Sequence, residues 1–154
     1  MTDVRVVKWG LFWAIGVSGC VGVRPDVQGH ELTFLSANPA RQESIAAMIG
    51  EMPTDGDDIV RRHLASGPES SVFLIRIPGG EEPHRHTRYD LTVLVVEGEG
   101  TLWLDGVPLS MRRGDIAHIP KDVPHHFINT GAGPATALGV FSPKFTGPDS
   151  APVR

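Results

Sequence analysis

The chain has 154 residues, of which 40% are hydrophobic and 21% are charged, a length and balance that suit one globular domain. Its formal net charge is −4 at pH 7 and no cluster of Lys and Arg stands out, so it lacks the positive patch that nucleic-acid binding requires. The 18 Gly and 13 Pro residues favour short strands joined by tight turns over a bundle of helices.

The N-terminal segment has the order of a secretory signal: basic residues, then an apolar run, then small residues. The apolar run over residues 9–17 is about nine residues long, far short of the ~20 that a membrane-spanning helix needs. Val17-Ser18-Gly19-Cys20 resembles the lipobox of bacterial lipoproteins, in which cleavage leaves a lipid-bearing cysteine at the new N-terminus. The resemblance implies a signal peptide over residues 1–19, lipidation of Cys20, and a place in the cell envelope, lipid-anchored on the periplasmic side of a bacterial membrane. The alternative is an uncleaved N-terminal strand with a buried cysteine.

Residues 20–30 are mixed, with Gly and Pro, and are predicted to be a spacer before a single domain over residues 31–154. Glu31–Leu35 alternates weakly and is a candidate first strand. Asn38-Pro39 followed by Ala40 to Ile49 predicts a short capped helix with proline in its first turn. One face of that helix is apolar and is predicted to pack on a sheet; its members are Ile45, Met48, Ile49 and Met52.

From Asp57 onward the sequence alternates between short β runs and turns rich in Gly, Pro and Asp. The predicted strands are 59–64, 72–77, 91–97, 101–104, 116–119, 125–129 and 137–141. Asp105-Gly106 predicts a hairpin, because a type I′ turn needs positive φ at both central residues. So many short strands indicate a sandwich or barrel. The tail over residues 142–149 has two prolines and a glycine and is predicted to wrap the barrel rather than extend a ladder.

Two histidines, His84 and His86, form an i, i+2 pair, which on a strand places both imidazoles on one face. Two neutral imidazoles on one face are half of a metal site.

The surrounding sequence resembles the two motifs of the cupin family. The first is matched by Gly79-Gly80-Glu81-Glu82-Pro83-His84-Arg85-His86 running into Val95-Val96-Glu97-Gly98, and the second by Gly114, Pro120, Val123-Pro124-His125 and Asn129. The resemblance implies an all-β fold, the cupin double-stranded β-helix or jelly-roll barrel, here with one short N-terminal helix. It also implies that histidines of both motifs converge on a divalent metal, which maps the ligands onto His84, His86 and His125.

The position of the family's glutamate ligand falls on Leu91, with Asp90 one residue earlier. Because strand faces alternate, this offset turns Asp90 away from the barrel unless a bulge restores it. We expect Asp90 to be the fourth ligand. The competing interpretation is a three-histidine site in which Leu91 leaves a position open for water or substrate, and a further alternative is a metal-free cupin whose histidines line a ligand pocket.

Other polar residues of the motifs are predicted to be structural. Asn129 is expected to make hydrogen bonds at a strand end, His126 to point opposite to His125, and His118 to be exposed or satisfied by a neighbour. Asp122 stands where a turn needs positive φ, which Asp tolerates better than most residues.

Three imidazoles with zero or one carboxylate suit Fe, Mn, Ni or Zn as the divalent transition metal. The resemblance permits a small metal-dependent dioxygenase or isomerase acting on a small molecule. It equally permits a non-catalytic, lipid-anchored barrel that binds or senses a small molecule or metal. An acid or base on the inner face would favour an enzyme, and Tyr89, Arg76 and Glu97 are the candidates. Because many cupins dimerise through edge strands, a homodimer is also expected.

Overall fold

A computed structural model describes residues 32–36 and 40–153. The predicted signal peptide, Cys20 and the spacer lie outside the described residues. The described elements are β1 (Thr33–Ser36), β2 (Arg41–Ser44), α1 (Ile45–Gly50), β3 (Val60–Ser66), β4 (Ser71–Ile77), β5 (His84–His86), β6 (Asp90–Glu97), β7 (Glu99–Leu104), β8 (Val107–Arg112), β9 (Ile116–Ile119), β10 (His125–Asn129), β11 (Ala135–Ser142) and β12 (Ser150–Pro152). No helix within these residues is long and apolar enough to cross a membrane.

Two five-stranded sheets make up the barrel, and every pairing within them is antiparallel. One sheet has the order β12-β5-β10-β7-β8 and the other the order β3-β4-β11-β6-β9. Strands far apart in sequence are therefore neighbours, as in a jelly roll, and only β7-β8 and β3-β4 are consecutive pairs within these two sheets. The predicted all-β jelly roll with one short N-terminal helix is confirmed.

The main core fills the barrel interior, because alternate side chains of each strand point inward. On β6, Leu91 and Val95 are buried in this core, whereas Val96 belongs to a second cluster on the outer face. The second cluster includes Ile45, Met48 and Met52, which are 5%, 3% and 3% exposed. The apolar stripe predicted for the helix therefore packs on the sheet, as expected.

The helix itself is shorter than predicted. Residues Arg41–Ser44 form β2, which pairs with β1 in a small separate ladder, and the helix covers only Ile45–Gly50. Ser44 is its N-cap: the hydroxyl accepts a hydrogen bond of 3.2 Å from the backbone N–H of Ala47. The prediction was wrong because the apolar stripe begins only at Ile45, and the polar residues before it have a strand partner in β1.

Both predicted turn positions have positive φ. Asp105 and Gly106, at φ 50° and 79°, connect β7 and β8 as a two-residue hairpin loop. Asp122 has φ 65° at the turn before β10. These local predictions are confirmed because turn chemistry depends on the residues themselves.

The C-terminal tail forms a short strand just beyond the segment that was predicted to wrap the barrel. Its residues 143–149 form no strand, but Ser150–Pro152 pair with β5, with Ser150 opposite His86. Phe145 packs against the barrel core, with its ring centroid 5.2 Å from that of Phe141. A three-residue strand that contains proline carries no sequence signal of its own, and only its partner strand determines it.

Candidate metal centre

Three histidines converge at one wall of the barrel interior. His84 and His86 lie on β5, and His125 lies directly opposite His84 on the neighbouring strand β10. The ring centroids of His84 and His125 are 4.5 Å apart, and that of His86 lies 5.2 Å from each of the other two. One ligating atom from each of the three residues falls within 4.8 Å of the others. This spacing allows all three to reach one ion.

Local hydrogen bonds define the tautomer of two of these rings. The Nδ1 atom of His84 lies 2.8 Å from the carbonyl oxygen of Glu82, and the Nδ1 of His125 lies 2.9 Å from that of Val123. A carbonyl oxygen can only accept, so each Nδ1 carries the proton and donates. The lone pair of each neutral ring is therefore on Nε2, which has no protein partner and is available to a metal.

The third ring makes the same kind of bond to a carboxylate that is distant in sequence. The Nδ1 of His86 lies 2.9 Å from Oδ1 of Asp149, whose side chain is 2% exposed. The other carboxylate oxygen, Oδ2, accepts a hydrogen bond of 2.8 Å from the backbone N–H of Arg88. Burial alone would raise the pKa of Asp149, but these hydrogen bonds outweigh it and hold that pKa below its usual value. Asp149 is thus an ionised acceptor, and His86 also has Nε2 free.

Two of the rings, those of His86 and His125, are in the neutral form that a metal requires. Burial lowers the pKa of His125 from 6.5 to about 4. Burial also lowers the pKa of His86, although the hydrogen bond to Asp149 opposes this shift. At neutral pH both side chains are uncharged, and neutral imidazoles are donors that suit a divalent transition metal.

Asp90 lies outside this group. Its Oδ1 accepts a hydrogen bond of 2.8 Å from the backbone N–H of Lys121. Its neighbour Leu91 lines the interior cavity instead. The structure therefore brings together His84, His86 and His125, as expected from the motifs, and leaves Asp90 engaged elsewhere.

The histidines line a cavity of about 60 Å³ inside the barrel. This volume is several times the roughly 10–15 Å³ that one water requires, so it suits a small molecule. The other lining residues are mostly apolar: Ile75, Ile77, Leu91, Val93, Val95, Leu102, Met111, Ile119, Phe127, Ala135, Ala137 and Phe141. Polar lining side chains besides the histidines are Arg61, Glu81 and Thr136. A mostly apolar cavity with a few polar groups is typical of small-molecule sites.

The acids and bases suggested by the sequence are not among these lining residues. The hydroxyl of Tyr89 is within 3.0 Å of the Thr146 hydroxyl, in a packed region under the tail. Arg76 and Glu97 likewise do not line the cavity. Glu81 lines the cavity instead, and its Oε2 accepts a hydrogen bond of 3.1 Å from the backbone N–H of Phe127. Glu81 was not predicted from the sequence, although its position in the first motif, three residues before His84, is a signal that could have identified it.

The residues predicted to be structural have that role. Asn129 donates from Nδ2 to two backbone carbonyls at 2.7 and 2.8 Å. His118 lies 3.0 Å from the hydroxyl of Thr92, and His126 stacks on Trp103 with ring centroids 5.9 Å apart. None of them lines the cavity, so these predictions are confirmed.

Comparison with known proteins is consistent with this architecture. Residues 73–141 match the family model described as a cupin domain. An uncharacterised protein of Aquifex aeolicus (strain VF5) is 34% identical over 117 residues, which cover 76% of this chain and 96% of that protein. The dimethylsulfoniopropionate lyase DddW of Ruegeria pomeroyi (strain ATCC 700808 / DSM 15171 / DSS-3) is 38% identical over 110 residues, 67% of this chain and 71% of that protein. A crystal structure of an RmlC-like cupin from Shewanella frigidimarina NCIMB 400 matches with a TM-score of 0.51 and 27% identity, covering 58% of this chain and 79% of that one.

Proposed function

The chain belongs to the cupin superfamily, and we propose that it is a small metal-dependent enzyme whose His84, His86 and His125 hold one divalent transition metal. The observation that carries this proposal is that all three Nδ1 atoms are bonded to acceptors, which leaves three Nε2 atoms for one ion. Iron, manganese, nickel and zinc all accept imidazole ligands. A bound ion of this kind would supply Lewis-acid or oxygen chemistry to a small molecule beside it.

The residues around the histidines would hold the substrate. The apolar walls of the cavity exclude water and accept the hydrocarbon part of a small molecule. Glu81 is the one carboxylate among the cavity-lining residues, and we assign it the role of accepting a proton from the substrate. Glu81→Gln should lower turnover roughly 100-fold or more while the metal content is unchanged. Equal turnover of the variant and the wild type would remove Glu81 from the reaction.

Three reaction classes are to be tested, and the family resemblance and one relative support them. Dioxygenation and isomerisation are the classes expected from the sequence. The likeness to DddW adds a lyase reaction, and it makes dimethylsulfoniopropionate the first substrate to assay. The alternative function is a non-catalytic barrel that binds or senses a small molecule at the same histidines.

The test starts with the metal. The full chain is purified in detergent and its transition metals are measured by elemental analysis, beside a His84→Ala/His86→Ala variant. The matched control is His63→Ala/His118→Ala, which removes two exposed histidines away from the cavity. We expect about one ion per chain in the wild type and the control, and none in the site variant at equal secondary structure by circular dichroism.

Two outcomes contradict parts of the proposal. A wild-type chain that stays metal-free after incubation with iron, manganese, nickel and zinc salts contradicts the metal centre. A chain that binds metal and ligand but turns over none of the tested substrate classes supports the binding or sensing alternative.

We also propose that Cys20 carries a lipid that anchors the domain to the cell envelope, and the order of residues before it supports this. In a bacterial host fed a clickable fatty acid, the wild type should be labelled and sediment with membranes. Cys20→Ser should lose both properties. An unlabelled wild type would support an uncleaved N-terminus instead. The homodimer stays a prediction, which light scattering of the purified chain tests.

A further inference from the structure

We infer that the C-terminal segment, residues 143–152, is part of the metal centre, and that Asp149 is a positioning residue that orients His86 towards the metal. This inference rests on the proposed metal site. Asp149 lies beyond residues 73–141, which match the cupin domain, so the family resemblance does not assign it a role.

Asp149 differs from the other partners of the three rings. His84 and His125 donate to carbonyls only two residues before them, so their orientation is set by the chain just before their own strands. His86 instead depends on a residue 63 positions away in the sequence. Loss of Asp149 therefore changes one ligand and leaves the local partners of the other two in place.

Both oxygens of the Asp149 carboxylate are used. Oδ1 binds the ring of His86 at 2.9 Å, and Oδ2 accepts the backbone N–H of Arg88 at 2.8 Å. With one oxygen fixed by the backbone, the other has a defined place beside the imidazole. A carboxylate that holds the Nδ1–H of a ligating histidine fixes the ring and makes Nε2 a better donor to a metal.

The segment that carries Asp149 is tied to the strand that carries the ligands. Ser150–Pro152 form a ladder with β5, with Pro152 opposite His84. The guanidinium of Arg88 donates to the carbonyls of Gly147 and Pro148, each at 3.0 Å.

Tyr89, the residue after Arg88, holds the C-terminal segment nearer to its start. The hydroxyl of Tyr89 accepts a hydrogen bond of 2.8 Å from the backbone N–H of Thr146. The ring of Tyr89 also packs on Phe145, with centroids 5.1 Å apart. Arg88 and Tyr89, which follow β5 and Thr87, therefore hold the C-terminal segment in place. The segment in turn orients His86.

Docking of the C-terminal segment and metal binding are coupled, and such coupling is reciprocal. If docking of the segment favours metal binding, then a bound metal must favour docking of the segment by the same factor. Metal should therefore slow hydrogen exchange of the backbone amides in residues 145–152.

The experiment compares the full-length wild type with Asp149→Asn and with Asp115→Asn. Asp115 is a matched control because its Oδ2 also accepts a backbone N–H, that of Arg112, at 3.0 Å, and it does not line the cavity. An amide at position 149 cannot accept with both of its atoms, so one of the two bonds is lost. We expect Asp149→Asn to bind Zn²⁺ and Ni²⁺ about 10–100-fold more weakly in competition titrations, and Asp115→Asn to bind them as the wild type does.

A readout on the metal-free protein separates this inference from the proposed function. Nitrogen-15 NMR of the imidazoles should show His86 as the Nδ1–H tautomer in the wild type and a mixture in Asp149→Asn. A wild type that binds neither ion overturns the proposed metal site, while the tautomer of His86 still tests the role of Asp149. A folded Asp149→Asn with wild-type affinity and tautomer overturns the inference. Should this variant not fold, hydrogen exchange of the wild type decides: unchanged protection of residues 145–152 on adding Zn²⁺ overturns the inference.

Discussion

His125 is 3% exposed and its pKa falls from 6.5 to about 4 because burial disfavours the charged ring. An unfolded chain takes up a proton at this position as the pH falls below 6.5, whereas the folded chain stays neutral down to about pH 4. The metal-free protein should therefore lose stability as the pH falls through this window, by up to about 3 kcal/mol from this group. The lowered pKa of His86 acts in the same direction.

Urea unfolding in a chelator between pH 7 and pH 4 measures this loss. The His125→Asn variant lacks the titrating group, so its free energy of unfolding should depend less on pH. If the free energy of unfolding depends on pH equally in the wild type and the variant, His125 is not the source of the loss of stability at low pH.

Thr136 is 1% exposed, and its hydroxyl has no hydrogen-bond partner among the described residues. A buried hydroxyl without a partner costs about 1–3 kcal/mol. Thr136→Val replaces the hydroxyl with a methyl group of nearly equal size, so it should raise the free energy of unfolding by about 1 kcal/mol. Thr136→Ser, which keeps the hydroxyl and loses the methyl group, should lower it. A destabilised valine variant would reveal a bond to the Thr136 hydroxyl.

At the scale of elements, Gly100 sets the close approach of β7 to β10. A Cβ at this position would overlap the ring of Phe127 and the carbonyl oxygen of Ile128 on the neighbouring strand. Gly100→Ala should therefore cost about 1–3 kcal/mol or more in denaturant unfolding, because two well-packed strands would have to separate. Gly133→Ala is the control: its Cβ would meet nothing within 4 Å, so its effect should stay within about 0.5 kcal/mol. Equal costs at the two positions would mean that β10 moves freely.

The elements also show which parts of the fold the sequence encodes locally. Strands such as Ile116–Ile119 and His125–Asn129 were predicted with the bounds observed, because their apolar runs end at strong turn residues. Strands β2 and β12 were not predicted, because neither has an apolar run: Arg41–Ser44 is polar throughout and Ser150–Pro152 ends in proline, so both depend on their partner strands. The helix was predicted to begin at Ala40 but begins at Ile45, because Arg41–Ser44 pair with β1 instead.

The residues of the candidate site likewise divide into those that the sequence predicts and those that only the fold brings together. The histidines stand in short motifs and could be identified from spacing, as could the direction of His126 and the positive φ of Asp122. Asp149 could not, since only the tertiary fold brings it to His86. Asp90 was expected to be the fourth ligand, although alternation along β6 favoured a side chain turned away from the barrel; its carboxylate accepts a hydrogen bond from the backbone N–H of Lys121.

For the whole molecule, metal binding and folding are linked. An ion that binds only the folded chain adds about 2.7 kcal/mol to the free energy of unfolding when its free concentration is 100 times Kd. Adding Zn²⁺ or Ni²⁺ should therefore raise Tm by several degrees in scanning calorimetry. The His84→Ala/His86→Ala variant should show no such shift, and an equal shift in that variant would mean that the ions bind elsewhere.

Strand β12 also determines what one edge of the barrel presents to other molecules. It is the outermost described strand of its sheet, has three residues, and ends at Pro152, which has no N–H to offer an incoming strand. Without it, β5 would be the edge, and its free backbone groups would be a template for another polypeptide. We expect a chain that ends before Ser150 to self-associate more than the full chain does, which light scattering at matched concentrations measures. An equal molar mass for the two chains would mean that β12 has no such protective role.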